Sequence, residues 1–202
     1  MLLTIALSDD NGHQEKRKFL IFTNQYFELG LKKGAILSGD EFDQLEDCAK
    51  ECIAIRKGID LLSYSSSSKK RLVQRLKNKG IEQENAENAV SHLEKIGAIN
   101  EEIDVEFQVE SCIRKLWGKK RIYRELLGKG YEREHILNAL EYVTKEQMIE
   151  NCVKLLRKKH KVIPEDSTVR QKIVASLVRY GYTFDEIKRA FEIFINEPKT
   201  EF

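Results

Sequence analysis

The sequence predicts a mainly α-helical protein made of three tandem three-helix repeats in an elongated, curved array, preceded by a small N-terminal β-hairpin or meander. Two observations carry most of this prediction. A pattern of 23 residues occurs three times, and the apolar residues after Ser38 recur at helical spacing. We therefore expect a β segment at 1–37 and repeats at 38–98, 99–144 and 145–202.

The first part of the chain has the composition of short strands. An apolar run from Leu2 to Leu7 is followed by the turn-rich sequence S-D-D-N-G-H-Q. Two more short strands are predicted at 18–22 and at Tyr26–Leu29. So small a sheet is marginal alone, so we expect it to pack on the helices that follow.

The start of the first long helix is predicted from the sequence of its N-terminal cap. Ser38-Gly-Asp-Glu41 is a capping box, in which the serine hydroxyl and the glutamate carboxylate each satisfy an unpaired amide. An apolar stripe follows and ends near Leu62. The four serines Ser65 to Ser68 then interrupt the helix, and they are suited to cap the next one.

The repeated pattern begins at Arg71, Arg121 and Lys172, at intervals of 50 and 51 residues. In each copy a leucine is followed four residues later by glycine and then by an apolar residue. Glycine adopts the left-handed conformation that ends a helix, so each copy predicts a helix end there. The matching positions are Leu76, Leu126 and Leu177; Gly80, Gly130 and Gly181; and Ile81, Tyr131 and Tyr182.

A second helix should begin after each glycine, because acidic residues favoured at a helix N-terminus come next. In the third copy Thr183-Phe-Asp-Glu186 forms a further capping box. A longer helix should precede each pair, at 41–62, 102–116 and 145–160. The last repeat has the extra residues K-H-K-V-I-P-E-D-S-T, where Ser167 or Thr168 is the expected cap.

No catalytic signature occurs in the chain. The glycines are not gathered into a phosphate-binding loop, and His13, His92, His135 and His160 are not spaced like metal ligands. We expect no enzyme activity, no cofactor and no metal, and four reduced cysteines. The N-terminus lacks the basic start of a secretory signal, and no apolar run approaches the ~20 residues of a membrane span. A cytoplasmic location is expected.

Positive charge is concentrated in the second half of the chain. Residues 112–202 carry 20 Lys and Arg against 13 Asp and Glu, which indicates an anionic partner. Basic residues lie beside Trp117 and Tyr123, and lysine and arginine side chains neutralise phosphates independently of base sequence. The alternative is that these are solvated helix faces with both aromatic residues in the core. The candidate binding residues are Lys69, Lys70, Arg71, Arg75, Lys119, Lys120, Arg121, Arg124, Lys158 and Lys159.

The repeated units resemble the RecX family, bacterial regulators of the RecA recombinase. The residues that carry the resemblance are Arg121–Tyr131, Ser66–Leu76 and the linker Leu93–Glu101. The linker departs from the usual pattern, because Ala98 replaces an aromatic residue and Glu101 replaces aspartate. The resemblance implies a protein that binds along the groove of the RecA filament on single-stranded DNA. It would thereby limit filament growth, ATP hydrolysis and strand exchange, and so act in recombination, DNA repair and the SOS response. We expect it to be a monomer.

Two other functions remain open from the residues alone. The short helix pairs could act as helix-turn-helix units of a free-standing DNA-binding protein. The repeats could equally form a scaffold for another protein partner, with the charge asymmetry incidental.

Overall fold

The structure is a computed structural model, and it describes residues 1–8, 14–160, 162–164 and 166–196. Within these residues it contains ten α-helices and one two-stranded sheet, so the mainly α fold with an N-terminal β-hairpin is confirmed. The chain divides into two compact units, residues 1–99 and 100–202. The boundaries proposed at 37/38 and 144/145, and the curvature of the array, stay predictions.

The first unit begins with the hairpin. Strand β1 (Leu2–Ser8) pairs antiparallel with β2 (Gln14–Leu20), with Leu2 opposite Leu20. The buried residues Phe19 and Ile21 pack with Leu45 and Ala49 of the first long helix. The sheet is thus docked on the helices, as expected. The predicted turn, which includes His13, lies outside the described residues.

The predicted strand at Tyr26–Leu29 is wrong, because residues Thr23–Glu28 form helix α1. The Oε1 atom of Gln25 accepts a hydrogen bond from the backbone nitrogen of Phe22 at 3.0 Å, which satisfies an amide at the helix start. The Nε2 atom of Gln25 donates to Glu51 at 2.7 Å. The aromatic residues that suggested a strand therefore lie on a short helix held by a buried glutamine.

Three further helices complete the first unit: α2 (Gly39–Tyr64), α3 (Lys69–Asn78) and α4 (Gln83–Lys95). The capping box is confirmed, since Ser38 Oγ accepts from the Glu41 amide and Glu41 Oε2 accepts from the Ser38 amide. Ser68 caps α3 in the same way, accepting from the Arg71 amide. The core includes Ile55, Leu72, Leu76, Ala86 and Leu93.

The second unit contains six helices around one core: α5 (Glu101–Arg114), α6 (Lys119–Gly128), α7 (Arg133–Glu141), α8 (Lys145–Lys159), α9 (Ser167–Arg179) and α10 (Phe184–Asn196). Buried residues of all six helices belong to a single hydrophobic cluster, including Cys112, Ile122, Ile136, Cys152, Leu177 and Ile187. The second and third repeats therefore share their core.

The repeated glycines end their helices as predicted. Gly80, Gly130 and Gly181 have φ angles of 80°, 87° and 99°. In each copy the amide after the glycine donates to the carbonyl of the repeated leucine at 3.2 Å: Ile81 to Leu76, Tyr131 to Leu126 and Tyr182 to Leu177. Such a bond from five residues ahead is typical of a helix ended by a left-handed residue.

The cap of α9 differs from the prediction. Asp166 caps this helix rather than Ser167 or Thr168, because its Oδ1 atom accepts from the Thr168 and Val169 amides at 2.7 and 3.1 Å. These hydrogen bonds lower the pKa of the Asp166 carboxyl. The capping box of α10 is confirmed, since Thr183 and Glu186 exchange both bonds.

Throughout the described part of the chain, every helix is too short or too polar to cross a lipid bilayer.

Candidate functional site

The four predicted cations of the first unit all lie on α3. Lys70 and Arg71 are exposed, and Arg75 is half-buried. The ammonium group of Lys69 instead forms an ion pair with Glu94 at 3.0 Å. Two fully exposed positive charges therefore remain at the start of this helix.

The cations of α6 separate into structural and exposed groups. Lys119 is half-buried, and its ammonium group donates to the carbonyl oxygen of Leu140 at 2.9 Å, near the end of α7. Lys120 and Arg124 are exposed, and Arg124 Nε donates to the Lys120 carbonyl at 3.2 Å. Lys119 thus stabilises the fold, whereas Lys120 and Arg124 present their charge to solvent.

Arg121 lies between two aromatic rings. Its guanidinium carbon is 4.0 Å from the centroid of Trp117 and 5.2 Å from that of Tyr180. Guanidinium groups at this distance from a ring are attracted by its negative face. Trp117 is half-buried and packs against the core. It therefore contacts both the apolar core and a basic side chain, the two environments that the sequence analysis considered for it.

Tyr180 brings cations of two repeats together. The ammonium group of Lys159, at the end of α8, is 4.0 Å from the Tyr180 ring, on which Arg121 of α6 also lies. Hydrogen bonding to Lys159 and its positive charge lower the pKa of the Tyr180 phenol. We call Trp117, Arg121, Lys159 and Tyr180 the cation–aromatic cluster. Lys158 is exposed beside it.

Sequence reasoning missed Tyr180, although a signal was present. This residue precedes the repeated glycine, and the other two repeats have Lys79 and Lys129 at the same position. An aromatic residue replaces a repeated lysine only in the third copy. Arg121 and Lys159 both lie over the ring of this residue, Tyr180.

A close backbone contact positions the cation–aromatic cluster. The amide of Gly118 donates to the carbonyl of Tyr180 at 2.8 Å, and the amide of Lys120 donates to that of Gly181 at 3.2 Å. The start of α6 is therefore capped by the turn between α9 and α10. The Tyr182 hydroxyl also donates to the carbonyl of Leu116 at 2.9 Å, where Leu116 has a left-handed backbone with φ of 58°.

A second feature of this unit is a groove of about 760 Å³ between α6, α7 and α9. Its apolar wall consists of Tyr123, Leu137, Leu140 and Val178, and its rim carries Lys119, Lys120, Arg124 and Glu141. We call it the basic-rimmed groove. Its volume is in the range of cavities that bind ligands or side chains.

The chemical character of these features is that of cations, aromatic rings and apolar side chains. Within the described residues, no three His, Cys, Asp or Glu side chains are grouped to hold a metal ion. Burial raises the pKa of the Cys52 and Cys112 thiols, and that of Cys152 to about 12, which disfavours the reactive thiolate. Cations beside aromatic rings are instead suited to bind phosphates and stacked bases.

Comparison with known proteins agrees with the repeat analysis. Residues 145–191 match the family model of the third three-helix domain of RecX. The chain is also 26% identical over 188 residues to the "Regulatory protein RecX" of Staphylococcus haemolyticus (strain JCSC1435), covering 87% of this chain and 70% of that protein.

Two solved structures have the same fold. The crystal structure of RecX from Lactobacillus salivarius matches with a TM-score of 0.66 and 22% identity, over 72% of this chain and 97% of that one. A crystal structure of regulatory protein RecX matches with a TM-score of 0.77 and 22% identity, over 93% of this chain and 92% of that one.

Proposed function

We propose that this chain is a member of the RecX family and a non-catalytic inhibitor of a RecA recombinase. It binds along the groove of the RecA filament on single-stranded DNA. By occupying the groove it limits filament growth, ATP hydrolysis and strand exchange, and so acts in recombination, DNA repair and the SOS response.

The observation that carries this proposal is the cation–aromatic cluster. Arg121 lies 4.0 Å from the Trp117 ring and Lys159 lies 4.0 Å from the Tyr180 ring, so charge and aromatic surface are presented together. Such a surface suits single-stranded nucleic acid, whose phosphates are neutralised by cations and whose bases favour contact with aromatic side chains.

Repetition of exposed charge supports a repeating partner. Lys70 at the start of α3 and Lys120 at the start of α6, 50 residues further on, hold corresponding positions, and both are exposed. Similar units can make similar contacts at intervals, as successive subunits of a filament would require. The exposed members of the candidate set would make these contacts: Lys70, Arg71, Lys120, Arg124, Lys158 and Lys159.

A time course of ATP hydrolysis by RecA on single-stranded DNA tests the proposal. We expect a substoichiometric amount of this protein to lower the rate progressively, because one bound molecule stops the extension of a whole filament. An unchanged rate at equimolar protein would contradict the proposed function.

A parallel titration of naked single-stranded DNA, without recombinase, tests the free-standing alternative. Tight binding that weakens steeply with salt, together with an unchanged RecA rate, would favour an independent DNA-binding protein. Neither binding nor inhibition would favour a scaffold for another protein.

A further inference from the structure

The basic-rimmed groove differs chemically from the cation–aromatic cluster. Its wall is apolar: Tyr123, Val178 and Leu137 each leave part of their surface uncovered, and Leu137 is 41% exposed. A leucine so exposed on the wall of a groove contacts water in the absence of a partner. Covering it with an apolar side chain of a partner would therefore favour binding.

The rim of the groove carries an excess of positive charge. The groove is lined by Lys119, Lys120 and Arg124 and by a single carboxylate, that of Glu141. Within the described residues, Lys120 and Arg124 form no ion pair with an acidic side chain. The Arg124 side chain lies along α6, where its Nε atom donates to the Lys120 carbonyl at 3.2 Å.

Charge and apolar surface together define the occupant. A phosphate backbone would be matched by the rim but would leave the leucine and valine side chains without a partner. A peptide segment with an apolar side chain flanked by carboxylates satisfies both, since the apolar group fills the groove and the carboxylates meet the rim.

We propose that the basic-rimmed groove binds an acidic, apolar segment of the recombinase subunit, so that this protein contacts the filament protein as well as the DNA. This inference rests on the proposed function, because the segment belongs to the partner named there. The contact with the recombinase subunit is thus made by residues of α6, α7 and α9 that do not belong to the cation–aromatic cluster.

A single substitution separates a peptide from a nucleic acid as the occupant. Leu137→Lys removes the apolar anchor and adds a positive charge. Inhibition of RecA ATP hydrolysis should therefore need roughly tenfold more of this variant, the factor that corresponds to about 1.4 kcal/mol of lost contact. Unchanged or stronger inhibition by Leu137→Lys would overturn the inference, because added charge favours binding to phosphate.

The matched control is Leu127→Lys. Leu127 is 47% exposed on α6 but does not line the groove. The Leu127→Lys variant should inhibit RecA ATP hydrolysis like the parent protein. An equal loss of inhibition in the Leu127→Lys and Leu137→Lys variants would overturn the assignment to the groove. Circular dichroism of both variants checks that the helices are intact. If the parent protein itself fails to inhibit, the proposed function falls; if only the Leu137 result fails, the groove assignment alone falls.

Photocrosslinking identifies the occupant directly. Benzoylphenylalanine at position 137 of the full chain, irradiated with RecA filaments on single-stranded DNA, should join to a RecA peptide that contains apolar and acidic residues. A crosslink to DNA, a crosslink to a basic peptide, or no crosslink from a protein that still inhibits would each overturn the inference.

Discussion

The backbone amide of Gly118 donates a hydrogen bond to the carbonyl oxygen of Tyr180, 62 residues later in the chain, at 2.8 Å. A Cβ atom added to Gly118 would overlap the carbonyl group of Gly181. Two backbone segments from successive repeats thus meet with no room for a side chain, and the cation–aromatic cluster is assembled around this contact.

Gly118→Ala should therefore destabilise the protein by about 2 kcal/mol or more, because backbone atoms cannot move aside as a flexible side chain can. Urea unfolding measures the change. Gly128→Ala is the matched control: the added methyl group meets nothing within 4 Å, and a helical alanine should stabilise by about 0.5–1 kcal/mol. Equal stability of the two variants would contradict the close contact.

Gly130→Val should destabilise by ~1–2 kcal/mol or more, because a β-branched residue is strained at the φ of 87° found there. The melting temperature followed by circular dichroism checks this. Gly128→Val places the same side chain inside the helix two residues earlier and should change stability little. A Gly130→Val protein that melts like the parent would show that the helix ends elsewhere.

The sequence contains one tryptophan, so its fluorescence reports on the cation–aromatic cluster. Arg121→Ala removes the guanidinium group from the Trp117 face and should shift the emission to longer wavelength, because water reaches the ring. Affinity for the RecA filament should fall in parallel. Arg133→Ala, an exposed position on α7, should change neither quantity. A spectrum unaltered by loss of Arg121 would place the side chain away from the ring.

Combined reversal of Lys120 and Arg124 to glutamate should weaken inhibition of RecA ATP hydrolysis by about tenfold or more, since two exposed positive charges become negative. Helicity should be kept. Lys119 and Arg121 are left intact, because one stabilises the end of α7 and the other lies on Trp117. Reversal of Lys172 and Lys188, which are exposed on α9 and α10 and lie outside the candidate set, makes the same change in net charge. Similar losses in both double variants would reflect net charge alone.

Thiol labelling should distinguish the cysteines. Cys152 is fully buried and burial raises its pKa to about 12, so the thiol form predominates at pH 8. Cys48 is only half-buried, although its pKa is also raised, chiefly by burial. Mass spectrometry after iodoacetamide treatment should find Cys48 labelled first and Cys152 labelled only on unfolding. Early labelling of Cys152 in the folded protein would contradict the shared core.

Local patterns predicted the repeated elements well. The leucine–glycine spacing, the capping boxes at Ser38 and Thr183, and the cap at Ser68 are set by residues within five positions of one another. Tyr26–Leu29 was misassigned because the deciding contact, from Gln25 to Glu51, spans 26 residues. Tertiary hydrogen bonding there outweighs the strand preference of the aromatic residues.

The candidate site was only partly predictable for the same reason. Basic composition identified Arg121 and Lys159, but their meeting at Tyr180 depends on backbone bonds between distant segments. Nor does composition reveal that Lys119 stabilises a helix end, whereas Lys120 one residue later faces solvent. Neighbouring lysines in the sequence can therefore differ in whether their charge is exposed for binding a partner.

The core shared by α5 to α10 has a consequence for engineering. Deleting the final three helices would remove part of this core and would take from the start of α6 its carbonyl acceptors, those of Tyr180 and Gly181. The second and third repeats are therefore mutually dependent, and a designer who wishes to shorten the chain must remove them as a pair.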